Sequence, residues 1–485
     1  MTKKPNILWI TTDQQRYDTL GCCGNPFVNT PNLDRLAAEG VLFDNAFCQS
    51  TVCAPSRASF LTGRYPRTTR CRQNGQDIPA DEVPVSKLFS NAGYYCGLAG
   101  KLHLSASHPD VAPTGEKRID DGYDEFHWSH DPGTGWGEHN EYIRWLREHN
   151  KTGKGPQWKL DSTIFSTKGN AVGAHGPPTN EHHDFWNAET TIRFLRERGP
   201  TDTSWFFSMN LFSPHPKFNP PLSYLNRYLD FLDDIPLPNF QEGELRDKPV
   251  VQRETFRGKR RNQLPYADIT NRQHRLMRAA YWAQIDLIDE QIGRVLDVLE
   301  ELGEAENTIV VFMSDHGEML GDHGIYFKGP YFYEGAVRVP LIVSWPGHLE
   351  DGRRIAQPVE LMEVAPTLLD AAGLSRGAGM QAGSLWPLLT GPDGKRPRDD
   401  VYCEYYDACE GAGEWATMIR TDQHKLVRYH GAGEGELYDL TADPYERENL
   451  WHLPDYSELK LELLQRLCDR MADTVDPLPE KQAVW

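Results

Sequence analysis

The strongest constraint on this chain is an alternation of short apolar runs with longer amphipathic stretches. Ile7 to Thr12, Trp205 to Leu211, Ile309 to Met313 and Pro340 to Trp345 are each brief, apolar and rich in β-branched or aromatic residues. Such runs read as strands buried on both faces of a parallel sheet. Between them the period changes. Thr30 is placed to cap a helix with Pro31 at its first position and Leu33, Leu36 and Ala37 on one face. A long helix is expected over about Leu276 to Leu302, with Ala280, Ala283, Leu287, Ile288, Ile292, Val295 and Leu299 as its apolar stripe. Strands alternating with helices predict an α/β fold, a large sheet covered by helices on both faces. Past about Lys395 the pattern shifts. Tyr402 to Tyr406, Met418 to Arg420 and Lys425 to Tyr429 read as short antiparallel strands, and Ser457 to Met471 as a terminal helix. The expected division is an α/β domain over 1–395 and a small α+β domain over 396–485.

Two segments interrupt the alternation: Ser105 to Glu181, rich in Gly, His, Trp and Asp, and Lys217 to Ile269, rich in Pro, Arg and Asp. Irregular segments of this length inside an enzyme are usually functional, and both are expected to wall a substrate pocket. The basic run Lys259-Arg260-Arg261 reads as solvated surface. The 485 residues carry a net charge of -19, which argues against a nucleic-acid partner. It leaves room for a small anionic substrate held by a local cationic pocket. Too few apolar residues open the chain for a signal peptide, and no run approaches the ~20 of a membrane span. The nine cysteines show no CxxC spacing. A cytoplasmic, reducing location without a membrane partner is the expectation.

The chemistry concentrates around Cys53-Ala-Pro55-Ser-Arg57-Ala-Ser-Phe-Leu61-Thr-Gly63-Arg64. For Cys22, Cys23, Cys48 and Cys96 a plain buried thiol is the expected role. The Cys53 segment instead resembles the type I sulfatase signature, C-x-P-S-R-x-x-x-L-T-G-R, at every specified position. The resemblance implies that a formylglycine-generating enzyme oxidises Cys53 to formylglycine. A thiolate would end as a stable S-sulfonate after one turnover. A hydrated aldehyde has two hydroxyls, one to attack sulfur and one to expel sulfate afterwards. A helix opening at this point would direct its N-terminal dipole at the anion.

Asp13-Gln14 closes the first apolar run, and Asp315-His316 follows the run Ile309 to Met313. Ligands collect at the carboxyl ends of parallel strands. With Cys53, these four residues match the sulfatase metal site. The donors are mostly hard oxygens, so Ca²⁺ is the expected ion, with Mg²⁺ or Mn²⁺ as alternatives. Many sulfatases carry Asp-Asp and Asp-Asn here; Gln14 and His316 depart from that form, as in some sulfatases and in the related phosphonate monoester hydrolases.

Gly93 to His103 resembles the second sulfatase signature, with Cys96 in place of Ser or Thr and Leu102 in the aromatic position. By resemblance Lys101 and His103 face the formylglycine hydroxyls. The same resemblance implies that His215, in Ser-Pro-His-Pro, and Lys328, in Lys328-Gly-Pro-Tyr-Phe-Tyr-Glu334-Gly-Ala-Val-Arg338-Val-Pro340, hold sulfate oxygens and protonate the leaving alcohol. Arg57, Lys101, Lys328 and the metal would form the cationic pocket, and Arg338 would be structural. His182-His183 and Asp322-His323 read as pocket lining or surface. Gly433 to Leu440, with Asp443-Pro444 and Glu448 to Leu450, resembles the family's C-terminal region. The resemblance implies an alkaline-phosphatase-like fold, with a large mixed, mostly parallel sheet and a small C-terminal antiparallel one. The expected reaction is hydrolysis of an aryl or carbohydrate sulfate monoester. The alternatives are phosphonate monoester or phosphodiester hydrolysis at the same site, and an unmatured, non-catalytic anion-binding protein. Trp128, Trp136, Trp145, Trp158 and Trp186 are candidates to stack on sugar or aryl rings, with core packing as the competing role.

Overall fold

The computed structural model describes residues 4–133, 135–149, 176–260, 264–391, 398–408, 413–479 and 483. Among them one sheet has eight strands, in the spatial order Arg353–Ile355, Val41–Phe43, Leu341–Ser344, Thr308–Ser314, Asn6–Thr12, Trp205–Asn210, Tyr95–Gly100 and Glu125–Trp128. The four in the middle of the functional edge, Thr308–Ser314 through Tyr95–Gly100, are mutually parallel. Their side chains alternate between two cores. Ile7 and Trp9 join one face, and Leu8 and Ile10 the other, so both faces are sealed and the runs are apolar throughout.

Leu341–Ser344 departs from the parallel expectation for the Pro340 to Trp345 run. It pairs antiparallel with Thr308–Ser314, Val310 opposite Ser344 and Met313 opposite Leu341. The chain leaves Ser314, loops over the carboxyl end of the sheet and re-enters from that same end. No crossover helix carries it back to the other edge, so the strand has to run the opposite way. An apolar run buried on both faces does not encode its direction.

The helices obey their patterns, with different caps. The long helix spans Asn271–Glu301, and Thr270 and Gln273 close a reciprocal capping box at its start. Pro31–Ala38 does begin after Thr30, but the Thr30 hydroxyl is turned to the Gly21 N–H and the Asp34 carboxylate. Asp289 of the long helix caps this shorter one instead, accepting from the backbone N–H of Leu33 at 2.7 Å and of Asn32 at 3.2 Å. The C-terminal strands Asp400–Tyr406, Trp415–Thr421, His424–Tyr429 and Gly435–Asp439 form an antiparallel sheet, with the helix Ser457–Asp473 after it. Lys425 anchors this sheet to the larger one. Its buried ammonium reaches the Phe332 carbonyl at 2.8 Å, Glu334 at 2.8 Å and Glu446 at 2.6 Å.

The basic run is not simply solvated. Arg260 is almost fully buried and pairs with Glu414, while Arg261 lies outside the described residues. Cys48 and Cys96 are buried as expected, whereas Cys22 and Cys23 are half-buried in a single turn, Gly21–Cys23. No described helix is long and apolar enough to cross a membrane.

Candidate active site at the carboxyl edge of the sheet

Four neighbouring parallel strands end together, and each delivers site residues at its carboxyl end. Asn6–Thr12 leads to Asp13 and Gln14, Thr308–Ser314 to Asp315 and His316, Tyr95–Gly100 to Lys101 and His103, and Trp205–Asn210 to His215. Gly100 makes one of these turns possible. Its φ is +100°, and a Cβ there would collide with the Asn210 carbonyl. The chain therefore drops Lys101 directly into the cluster.

Cys53 is the first residue of the helix Cys53–Thr62, every residue of which is buried. Its Sγ marks where the formylglycine hydroxyls of a matured protein would begin. Lys328 Nζ lies 2.8 Å from Sγ, His316 Nε2 3.2 Å and Asp13 Oδ1 3.6 Å. His103 and His215 also lie against the thiol. One turn along the helix, the wholly buried Arg57 donates to Asp315 Oδ2 and to the Lys101 carbonyl, each at 2.9 Å. It is not among the residues that line the cavity above Cys53, and its charge is shared between Asp315 and Asp13, whose Oδ2 lies 3.5 Å from its Nη2. Lys101 Nζ sits 2.5 Å from Asp13 Oδ2.

This density of charge sets the protonation pattern. Burial alone would push the Cys53 thiol up, but Lys101, Lys328 and His316 hold it well below its usual value. Burial and Cys53 push Asp13 up, and Lys101, His215 and Lys328 outweigh them, leaving it below the usual carboxylate range. Burial and Lys101 bring His103 down to about 4, and burial and Lys328 also lower His215. His316 goes the other way: against burial, Asp315 and Cys53 raise it to about 9.

Asp13, Cys53, Asp315 and His316 each offer a ligand atom within 4.8 Å of the others. Two further observations suit this cluster to a cation. Gln14 Oε1 is buried with no hydrogen-bond partner, while its Nε2 donates to Glu318. His316 Nδ1 lies 2.9 Å from the Gly317 carbonyl, which can only accept, so Nε2 is the nitrogen turned to the cluster. Carboxylate, amide and imidazole donors of this kind fit a hard or borderline divalent ion.

Residues 5–374 match the Sulfatase family, and residues 321–473 match the family described as N-sulphoglucosamine sulphohydrolase, C-terminal. The chain belongs to the sulfatase family. This sulfatase is 33% identical over 474 residues to an arylsulfatase of Clostridium perfringens, covering 96% of this chain and 93% of that one. It is 28% identical over 523 residues to an N-acetylglucosamine-6-O-sulfatase of Bacteroides thetaiotaomicron, covering 99% and 88%. Its fold superposes on the phosphonate monoester hydrolase of Agrobacterium radiobacter with a TM-score of 0.83 and 26% identity, over 98% and 97% of the chains.

Above Cys53 the sulfatase has a cavity of about 780 Å³. Both irregular segments contribute to its walls, the first through Ala106 to His108, Val111 and His130 to Gly133 and the second through Lys217 and Asn219. None of the described tryptophans proposed for stacking lines it. Trp128, Trp136 and Trp186 are buried in packing, Trp145 stacks on His149, and Trp158 lies outside the described residues. His182-His183 and Asp322-His323 do not join the cluster of Asp13, Cys53, Asp315 and His316; Asp322 and His323 line a separate cavity, and His182 and His183 are buried rather than at the surface. His182 and His183 are buried at the start of the helix His183–Arg198. His323 stacks on Tyr333 and binds Glu244, and Asp322 pairs with Arg16 and Arg278. Arg338 is structural, bound to the Asp44 carbonyl and lying over the Tyr17 ring.

Sequence reasoning missed three contributors. Asn74 lines the cavity and accepts from the Ala54 N–H at 3.0 Å, reaching back to the helix that Cys53 opens. Glu116 accepts from the backbone N–H groups of His103, Leu104 and Ser105 and from Trp128 Nε1, fixing the turn that aims His103. Glu318 orients Gln14. Each is a single polar residue outside any motif, and only its position in space distinguishes it.

Proposed function

We propose that this sulfatase hydrolyses a sulfate monoester of an aryl or carbohydrate alcohol, with Cys53, matured to formylglycine, as the nucleophile. The observation that carries this reading is the surroundings of Cys53 Sγ. It stands at the first turn of a helix and lines a wide cavity, amid two aspartates, His316, two lysines and the neutral His103 and His215. Formylglycine would supply two hydroxyls on one carbon, one to attack sulfur and one to release sulfate. Asp13, Gln14, Asp315, His316 and the matured residue 53 would hold the divalent ion, which would polarise the sulfate and lower the pKa of the attacking hydroxyl.

The protein's own side chains supply the remaining work. Lys328 and Lys101 bring positive charge to the sulfate oxygens and offset their negative charge. His103, neutral at physiological pH, accepts the proton of the hydroxyl that must collapse. His215 donates Nδ1–H to the Pro216 carbonyl, 2.7 Å away, which leaves Nε2 for the substrate. A bound sulfate monoanion favours the charged imidazole and so its transfer of a proton to the leaving alcohol. A second reading, phosphonate monoester hydrolysis by the same residues, draws support from the fold shared with the Agrobacterium enzyme.

The test is a substrate panel on protein co-produced with a formylglycine-generating enzyme, its conversion checked by the mass of the peptide containing Cys53. Sulfate esters should be hydrolysed with a kcat/KM above that of phenyl phosphonate esters, and Cys53→Ala should lower turnover at least a thousandfold while keeping the fold. A preference for the phosphonates would favour the second reading. Turnover near wild type in Cys53→Ala would remove Cys53 from the mechanism.

A further inference from the structure

His130 is brought to the catalytic edge by strand register rather than by a motif. Glu125–Trp128 pairs in parallel with Tyr95–Gly100, Gly100 opposite Trp128. The chains beyond these two residues continue side by side, and His130 arrives next to His103. The two imidazoles meet edge to face with centroids 4.5 Å apart. Behind His130 lie Trp136 at 5.5 Å and Trp128 at 6.5 Å. Both indoles are themselves tied down, Trp136 to the Ala112 carbonyl and Trp128 to Glu116. The His130 ring is therefore held in place while it lines the cavity that contains Cys53.

Its hydrogen-bonding capacity is unused. No described residue hydrogen-bonds either ring nitrogen; Nδ1 is also shut off from the cavity, so Nε2 is the nitrogen that a ligand can meet. A ring nitrogen that faces a cavity without a protein partner is open to a hydrogen bond from whatever fills the cavity. The cavity that His130 lines offers Phe212, Val111 and Pro132 as apolar surface and Asn219 and Lys217 as polar groups. An occupant that suits these walls has one apolar face and a hydroxyl or amine close to the reacting ester.

We propose that His130 is a specificity-determining residue. Its imidazole hydrogen-bonds a hydroxyl or amine beside the sulfated position, so the preferred substrates are sulfate esters of sugars or similar polyols rather than plain aryl sulfates. The proposal rests on the sulfatase reading above and refines its substrate class. A site that hydrogen-bonds a substrate hydroxyl discriminates against an analogue that lacks one.

The experiment compares kcat/KM on monosulfated glucosamines and galactoses with kcat/KM on para-nitrophenyl sulfate, using the matured full-length protein. In His130→Phe, which keeps a ring against His103 and the two indoles, the sugar-to-aryl ratio should fall about tenfold or more. His130→Gln, which restores a donor and an acceptor, should recover part of it. In the wild type, cyclohexylmethyl sulfate should be turned over at least tenfold less efficiently than the best sugar sulfate, a comparison that needs no variant. An unchanged ratio in His130→Phe, or equal losses on both substrate types, would overturn the proposal and make His130 a packing partner of His103. Cyclohexylmethyl sulfate turned over as well as the sugars would overturn it too. A wild-type enzyme inactive on every sulfate ester would bring down the sulfatase reading itself, an outcome distinct from the others.

Discussion

An amide side chain can turn either an oxygen or an NH₂ toward a cation, and only the oxygen is a ligand. At Gln14 the choice is made by Glu318. One oxygen of that carboxylate accepts from the backbone N–H groups of Leu320 at 2.8 Å and Phe327 at 2.6 Å, and the other accepts from Gln14 Nε2. Gln14 Oε1 is left facing away from Glu318, buried and unpartnered. In Glu318→Gln, the amide oxygen at 318 would stay with the two backbone donors and its NH₂ would face Gln14. Gln14 would then have to flip, presenting NH₂ to the cation. We expect Glu318→Gln to weaken Ca²⁺ or Mn²⁺ binding to the chelator-stripped protein about ten- to a hundredfold, the usual penalty for disturbing an outer partner. Calorimetric titration reads this directly. Unchanged affinity would mean that Gln14 does not bind the ion through its amide oxygen.

At the scale of elements, the strands were legible because burial on both faces writes an apolar run into the sequence, and Asn6–Thr12, Trp205–Asn210 and Thr308–Ser314 all follow such runs. The direction of Leu341–Ser344 was not legible, since it depends on how the preceding loop returns. Val41–Phe43 and Arg353–Ile355 are too short to show a period. The motif residues were legible as a set, and the fold brings Asp13, Cys53, Lys101, His103, Asp315, His316 and Lys328 to one place. His130, Glu116 and Glu318 were not, because register and loop paths, unseen in a single sequence, bring them there. Lys425 shows how strongly the C-terminal sheet is coupled to that site. Its ammonium bonds the Phe332 carbonyl and Glu334, within the segment that also carries Lys328. Lys425→Met would leave Glu334 and Glu446 without their common cation in a buried setting. Breaking one side of a buried ion pair costs about 3–5 kcal/mol. A loss of that order should appear in urea unfolding of the variant, whereas a loss below about 1 kcal/mol would place Lys425 among dispensable pairs.

Taken whole, the molecule is acidic, with a net charge of -19, yet it gathers Arg57, Lys101 and Lys328 around two buried aspartates. Net charge thus says little about the pocket. The same gathering links distant parts of the chain, because Asp13, Cys53 and Asp315 come from the first strand, a helix start and a strand some three hundred residues later. In the unfolded chain these ligands are scattered, so a divalent ion binds the folded protein far better and stabilises it by mass action. At a free concentration about a hundredfold above Kd, the gain is about 2.7 kcal/mol. Adding Ca²⁺ to chelator-treated protein should therefore raise its Tm by a few degrees, and Asp315→Asn, which removes a ligand charge, should abolish most of that rise. Calorimetric scans of both proteins with and without the ion provide the measurement. If Asp315→Asn keeps the full shift, the stabilising ion is bound elsewhere, and the cluster at the carboxyl edge of the sheet is not its site.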